Sequence, residues 1–424
     1  MLFTAVAATL LFRLPTEWAA LPLLIGASYM TLGQDIQVGP LHFTVIRILV
    51  AVGVMRVLSR KEHISGGMKG IDRMMVLWGI VAVISSVFHE EFSSALITRL
   101  ALVYDTLGLY FLMRIFLRAA DPSAMLGVCQ IMIIVLIPLA LAMIAERVTG
   151  QNFFSMFGGV NPISEVRNGA VRAQGPFAHS ILAGTVGAVS WPLALFFWKE
   201  KRILSIAGLA AAGAIVLCSG SSGPIMTSMF CGIGLFFWRF RNRMKMIRWL
   251  AVLGIIGLDM TMQAPVYYIL ARIDLTGSST GWHRAALIES SIKHLNEWWL
   301  GGTDYTRHWM PTGVPWSPNH TDITNQYIKI GVVGGLPLML LLVGILVSAF
   351  RMVGKTIKLF PDAPREHLFL IWSFGAILFA HAATWMSISY FDQSIVFPFF
   401  ILAAIGSLPV TRPRVEPVAE MAPA

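Results

Sequence analysis

The sequence predicts an all-α polytopic membrane protein with about 12 transmembrane helices and a large external loop that contains short helices. Three observations predict it. Hydrophobic residues fill 56% of the 424 positions and charged residues only 13%, where a soluble chain carries about a quarter charged. Apolar runs of about 17–25 residues, the length of a helix that crosses a bilayer core, recur along nearly the whole chain. Backbone amides in lipid must pair internally, so runs of this kind are helices.

Taken in order, spans are expected at about 41–58, 74–88, 99–117, 123–145, 176–198, 203–218, 223–238, 247–270, 324–350, 367–386 and 392–409. One or two more fall within 1–32, where Arg13, Pro15 and Glu17 interrupt the apolar run. The total is about 12 or 13. The first 30 residues lack a basic start and a small-residue cleavage site, so a cleaved signal peptide is not expected. Residues 1–409 read as one integral-membrane domain and 410–424 as a disordered tail. No repeat or duplicated half is visible.

The formal net charge of +10 is read as loop lysine and arginine rather than as a nucleic-acid footprint. "RVLSRKEHISGGMKGIDR", "KEKR", "RFRNRMKMIR" and "RMVGKTIKLFPDAPR" are the basic stretches. Alternating spans put all four on one side, which is then cytoplasmic, and the tail falls there too. Two long loops, about 146–175 and 271–323, lie on the opposite side. They carry Arg147, Arg167, Arg172, Arg272, Arg284 and Arg307, against the positive-inside trend. Loops of this size in a compact membrane protein point to function. Cys129, Cys218 and Cys231 lie in apolar runs without metal-ligand spacing and read as packing residues.

Three stretches offer chemistry. In "VRAQGPFAHSILAG", Arg172 precedes a Gly-Pro break and a helix start. A helix N-terminus favours anions, and a guanidinium beside it grips two oxygens. The plain alternative is an arginine snorkelling to headgroups. His179, about one turn on, reads first as a packed, hydrogen-bonded histidine. In "GSSTGWHRAALIESSIKHLNEWWLGGTDY", Ser278 to Thr280 can cap an amphipathic helix bearing His283, Arg284 and Lys293. That helix either rests on the outer leaflet or turns Arg284 towards an anionic lipid-linked substrate. In "SPNHTDITNQYIKIGVVGG", His320 precedes a span, with Asp322 and Asn325 close enough to orient it. A histidine titrates near neutrality and can take a proton from a hydroxyl nucleophile. An interfacial histidine that only caps or hydrogen-bonds is the alternative.

"GSSG" (220–223) with His381 matches a rhomboid-type Ser/His pair through Ser222, but the glycines expected after that histidine are absent and the spans are too many. A turn explains "GSSGP". No HExxH, Cys/His metal cluster, Walker loop or DxD-type pair is found, so neither a metal site nor an ATP-driven pump is expected. Carboxylates within spans are sparse (Asp105, Asp259), which weakens a proton-coupled transporter.

Together the long loop before the closing spans, the "R-x-x-G-P-F-x-H" of Arg172 to His179, and "NHTDITNQYIKIGVVGG", with His320 eleven residues before Gly331, resemble the O-antigen ligase and polymerase superfamily. The resemblance covers about residues 70–405 in layout and only these short motifs in sequence. It implies a multi-pass glycosyltransferase of the bacterial inner membrane, with its site facing the periplasm. The donor is a glycan on undecaprenyl diphosphate, the acceptor a lipid or another glycan, and the surroundings membrane lipid; no nucleic acid is involved. Arg172 and Arg284 would bind the diphosphate. His320 would deprotonate the acceptor hydroxyl, which attacks the anomeric carbon with inversion. Asp322, Asn325, His283 and His179 would support the site. No metal or other cofactor is implied, because arginines stabilise the leaving diphosphate. Two positions depart from the family. "GWHR" puts Trp282 in one register and Arg284 in the other, and Ser222 stands where many members carry arginine. A lipid-linked glycan transporter or flippase is the second reading, and a rhomboid-type protease a distant third.

Overall fold

The computed structural model describes residues 2–39, 41–117, 122–272 and 281–409. The expected tail over 410–424 and the capping residues Ser278 to Thr280 lie outside the described residues. Helices dominate. α1 (Leu2–Arg13) and α2 (Leu21–Tyr29) precede a hairpin, β1 (Asp35–Val38) and β2 (Leu41–Thr44). α3 (Val45–Arg60), α4 (Gly70–Ile84), α5 (Phe92–Phe116) and α6 (Pro122–Thr149) follow. A second hairpin, β3 (Glu165–Arg167) and β4 (Ala170–Arg172), leads into α7 (Ser180–Phe196), α8 (Arg202–Cys218) and α9 (Ser222–Phe236). α10 (Met244–Thr261), α11 (Ile269–Arg272), α12 (Gly281–Lys293) and α13 (Leu295–Trp298) carry the chain to α14 (Gln326–Leu359), α15 (Arg365–Thr384) and α16 (Val396–Ser407).

Five helices are long and apolar enough to cross a membrane: Gly70–Phe88, Phe92–Phe116, Met125–Thr149, Gln326–Leu359 and Arg365–Thr384. A sixth is possible by composition, Ser222–Thr261 continued through a 91° bend by Val266–Arg272. The expectation of 12 or 13 is therefore not met. The apolar runs are real, but non-helical residues occupy their ends. The run from 41 begins with strand β2, the run from 176 with the turn before α7, and the run from 392 with a 3-10 turn. What remains is α7 and α8 at 17 residues each and α1 and α16 at 12 each, at or below the length a span needs.

Buried charges join the helices, each with partners. Asp72 of α4 accepts from Tyr110 Oη at 2.6 Å and pairs with Arg114 of α5 at 3.4 Å. Arg56 of α3 donates to Leu14 O at the end of α1 at 2.8 Å and pairs with Glu62 at 2.8 Å. Lys69 Nζ donates to Gly406 O at the end of α16 at 2.8 Å. Cations at helix C-termini satisfy carbonyls that have no partner in their own helix.

α9 and α15 run antiparallel. Thr227 Oγ1 meets Thr384 Oγ1 at 2.7 Å, and Trp372 Nε1 donates to Gly234 O at 2.8 Å. Ser222 and His381 lie on opposite sides of the Thr227–Thr384 contact, eight residues of rise apart in total, or about 12 Å. His381 Nδ1 faces Tyr390 Oη at 2.9 Å instead. This corrects the rhomboid-type reading, which needs Ser222 and His381 in contact.

The break in α14 positions the loop before it. Gly334 (φ −150°) and Gly335 (φ +74°, ψ −176°) leave helical geometry, and the second conformation is open essentially only to glycine. The opened ladder is taken up by the segment after α13. Thr303 N donates to Val332 O at 2.9 Å and Leu336 N to Trp299 O at 2.8 Å. Val333 O accepts from Arg99 Nη2 at 2.9 Å.

Candidate functional site

The β3–β4 hairpin places Arg172. Its turn is Asn168-Gly169, both with positive φ (49° and 75°), the twist-matched two-residue connection of a hairpin. Register sets Glu165 opposite Arg172. Arg172 Nη1 donates to both Glu165 oxygens, at 3.0 and 2.9 Å, and Nη2 donates to Ser221 Oγ in the turn between α8 and α9. The guanidinium is buried, and its Nε has no partner. Burial lowers the Arg172 pKa, and Glu165 opposes the shift. Gly220 (φ +57°) lets that turn approach, since a Cβ there would stand 3.0 Å from Arg172 Cγ. The "GSSG" turn thus supports Arg172 through Ser221.

Arg147, at the end of α6, has another job. Its Nη1 donates to Val171 O at 2.6 Å and fixes the strand that bears Arg172. Arg307 is likewise turned inward on its own loop, donating to Met310 O at 2.6 Å and Pro311 O at 2.7 Å. His179 caps α7, its Nδ1 accepting from Ile181 N at 3.1 Å, and Asp392 Oδ2 accepts from Ala178 N at 2.8 Å. The α7 N-terminus, expected to receive an external anion, is therefore already capped from within the chain. Arg172, Glu165 and Arg167 all lie within electrostatic reach of the His179 ring.

α12 connects the two loops. Its exposed Trp282 faces away from the core, while His283 is buried and Arg284 partly so. Arg284, not Trp282, is thus the more buried of the two positions of "GWHR". Burial lowers the Arg284 pKa, and the neighbouring Arg167 lowers it further. Arg284 Nε is buried without a partner. Arg167 thus lies within electrostatic reach of both Arg172 and Arg284. One residue earlier, His283 Nε2 donates to Asp322 O at 3.0 Å, two residues from His320.

His320 sits in a tight turn between the bridged residues Pro315 and Thr321. Its amide donates to Ser317 Oγ at 3.1 Å. Neither Asp322 nor Asn325 is the partner of its ring. Nδ1 lies 3.2 Å from Thr306 Oγ1, and the Thr306 amide donates to Asn319 O at 2.9 Å. With the proton on Nδ1, Nε2 keeps its lone pair and can act as a base. Burial lowers the His320 pKa, and Asp304 opposes the shift. Asp304 itself is held by His89 Nδ1 at 2.6 Å and the Glu90 amide at 3.0 Å. Burial raises the Asp304 pKa, but these hydrogen bonds leave it below its usual value.

Asn325 caps α14, its Oδ1 accepting from Tyr327 N at 2.9 Å and Ile328 N at 3.1 Å, while Nδ2 donates to Met386 O at 2.9 Å. Asp322 has its carboxyl pKa raised by burial, with His283 and Lys329 opposing. Asn325 thus shapes the start of α14, and neither residue is bonded to the ring of His320. Just inside lies a cavity of about 240 Å³, largely apolar, with Gln326, Lys329 and Asp392 in its wall.

Sequence reasoning missed Thr306, Asp304 and Ser221, which meet their partners only through the fold. It also missed a cluster of possible metal ligands, His294, Glu297 and His308. The i, i+3 spacing of His294 and Glu297 was a usable signal. The Asn-Gly pair was a readable hairpin signal.

No known family model matches the chain, and no curated protein matches its sequence.

Proposed function

We propose that this chain is a multi-pass membrane glycosyltransferase of the O-antigen ligase and polymerase type, moving a glycan from a polyprenyl diphosphate to an acceptor hydroxyl. The observation that carries the reading is the hydrogen bond from α12 to the His320 loop, one residue before Arg284, whose buried Nε has no partner. His283 is hydrogen-bonded to the His320 loop at Asp322 O, and adjacent Arg284 is within electrostatic reach of Arg167, as is Arg172. One helix thereby carries Arg284 and holds the loop that bears the candidate base, while Arg167 places its charge within reach of both Arg284 and Arg172.

The chemistry follows from these groups. Arg172 and Arg284, together with Arg167, supply positive charge where a departing diphosphate gains negative charge. The Glu165 carboxylate on Arg172 is half exposed and would be displaced by the phosphate oxygens. His320 Nε2 takes the acceptor proton as the new C–O bond forms. The anomeric C–O bond to the carrier breaks, and the diphosphate leaves with its electron pair. The anomeric centre inverts. The apolar helices are consistent with a membrane site, and the reading places these loops on the periplasmic side of a bacterial inner membrane. Further crossings by the shorter apolar helices, towards the expected 12, belong to the same proposal.

The test is glycan transfer from purified lipid-linked donor in liposomes, without added metal, for wild type, His320→Ala and Arg172→Ala. Loss of transfer in both variants, at normal folding and insertion, supports base and diphosphate clamp. Full activity of His320→Ala removes the mechanism. No transfer by wild type with either a lipid or a glycan acceptor turns the reading to a lipid-linked glycan transporter.

A further inference from the structure

We infer that His294, Glu297 and His308 form a binding site for a divalent transition metal, with zinc the natural probe. His294 lies between α12 and α13, Glu297 is in α13, and His308 comes from the 3-10 turn Arg307–Trp309. His294 Nδ1 is 2.7 Å from one Glu297 oxygen and His308 Nε2 is 2.8 Å from the other. The three ligand atoms lie within 4.8 Å of one another. The two imidazole rings stand 5.0 Å apart, centroid to centroid, at 89°. Two imidazoles on one tetrahedral zinc, bound at about 2.0–2.1 Å, place their centroids about 5 Å apart. The rings are already at that separation.

Two features beyond the ligands fit a built site. Trp309 Nε1 donates to Glu297 Oε2 at 3.0 Å, the kind of outer hydrogen bond that orients a ligating carboxylate. The Trp309 ring also stacks on His294 at 6.0 Å and 12°, which holds the imidazole plane. Two imidazoles and one carboxylate suit zinc, cobalt, nickel or copper, not magnesium or calcium. On binding, each neutral imidazole carries its proton on the nitrogen turned away from Glu297, and an imidazolium releases one proton. Three protein ligands leave a fourth position for water.

The site would have a structural consequence. His308 follows the two residues whose amides hold Asn319 O, Thr306 at 2.9 Å and Arg307 at 3.0 Å. A metal on His308 would staple that segment, and with it the Thr306 hydroxyl beside His320, to α12 and α13. The effect on transfer rests on the proposed role of His320; the metal site itself does not.

The experiment is calorimetric titration of tag-free, chelator-treated full-length protein in detergent micelles with Zn²⁺, repeated with Mg²⁺. Co²⁺ absorption serves as a second readout of ligand geometry. One equivalent of Zn²⁺ and no Mg²⁺ is expected to bind. His294→Ala, His308→Ala and Glu297→Gln are each expected to weaken binding by at least about tenfold, with unchanged elution on gel filtration. His42→Ala, at a histidine outside the cluster, is expected to bind as wild type does. Absence of stoichiometric Zn²⁺ uptake by wild type, or equal uptake by the three cluster variants, would overturn the site. Neither result depends on glycan transfer.

Discussion

His283 Nε2 donates to the backbone carbonyl of Asp322 at 3.0 Å, a hydrogen bond that joins α12 to the His320 turn beside the packing of Leu287 against Trp309 and Met310. Removing it loosens the turn, which the Thr306 and Arg307 amides and the Pro315–Thr321 bridge still hold, while every proposed reacting group stays in place. His283→Ala is expected to lower kcat/KM for transfer by about tenfold, the scale of one lost buried hydrogen bond and its unpaired carbonyl. His283→Gln, which can still donate, should recover part of it. The check is steady-state transfer at matched insertion. Wild-type kinetics in His283→Ala would mean the turn is held without α12.

Arg172 holds Glu165 with Nη1 and Ser221 with Nη2, and a lysine has no planar fork to hold both. Arg172→Lys is expected to reduce transfer by about 100-fold, the scale for losing one preorganised donor to developing charge. Glu165→Gln should act in the opposite direction on donor affinity. A neutral amide competes less with diphosphate, so the donor KM falls. A donor KM that rises in Glu165→Gln would mean the carboxylate is needed to orient Arg172.

Burial lowers the His320 pKa and Asp304 partly offsets this. A base works only unprotonated. Transfer should therefore be lost as pH falls through a midpoint below the ordinary histidine value of about 6.5, and be full above it. Asp304→Asn removes the charge that favours imidazolium, so its acid limb should move to still lower pH. A pH–rate profile of both proteins measures this. An acid limb that moves up in Asp304→Asn would contradict the assignment of His320.

Asn325 joins two helices, capping α14 and donating to Met386 O beyond α15. Asn325→Ala should destabilise the fold by about 1–2 kcal/mol, a lost cap plus a lost hydrogen bond. Asn325→Asp keeps the cap and should lose only part of that. Denaturant titration in mixed micelles distinguishes the two.

Gly335 combines a glycine-only conformation with a close approach, since a Cβ there would stand 2.4 Å from Leu300 O. Gly335→Ala should abolish folded yield. Gly213, whose added Cβ meets nothing within 4 Å, should accept alanine with no loss of thermal stability, as expected for a glycine within a helix.

Periodic and compositional features were legible because they are local. The apolar runs marked the long helices α4, α5, α6, α14 and α15. Their exact ends were not legible, since a hydropathy window runs on across a short strand or 3-10 turn such as Leu41–Thr44 or Gln393–Ile395; five or six helices are long and apolar enough to span where about 12 runs were read. Arg172 and Arg284 stood out through their motifs among six arginines whose charge ran against the positive-inside trend, and the fold brings a third of the six, Arg167, within electrostatic reach of both. The partner of His320 was not legible. Asp322 and Asn325 are nearer in sequence, but the backbone between them turns into α14, and Thr306 arrives from 14 residues upstream. The same holds for Ser221 on Arg172, 49 residues away in the chain.

The break at Gly334 and Gly335 also bears on the order of biosynthesis. An open backbone group in hydrocarbon costs several kcal/mol, so the interrupted upper part of α14 needs waiting partners when it enters the bilayer. The partners at the break, Ser85, His89, Arg99, Trp299 and Thr303, precede α14 in the chain. The ribosome has delivered them before the helix emerges, so the break can close on arrival, whereas the first turn of α14 waits for α15, since Gln326 N donates to Trp385 O at 2.8 Å and Asn325 Nδ2 to Met386 O at 2.9 Å.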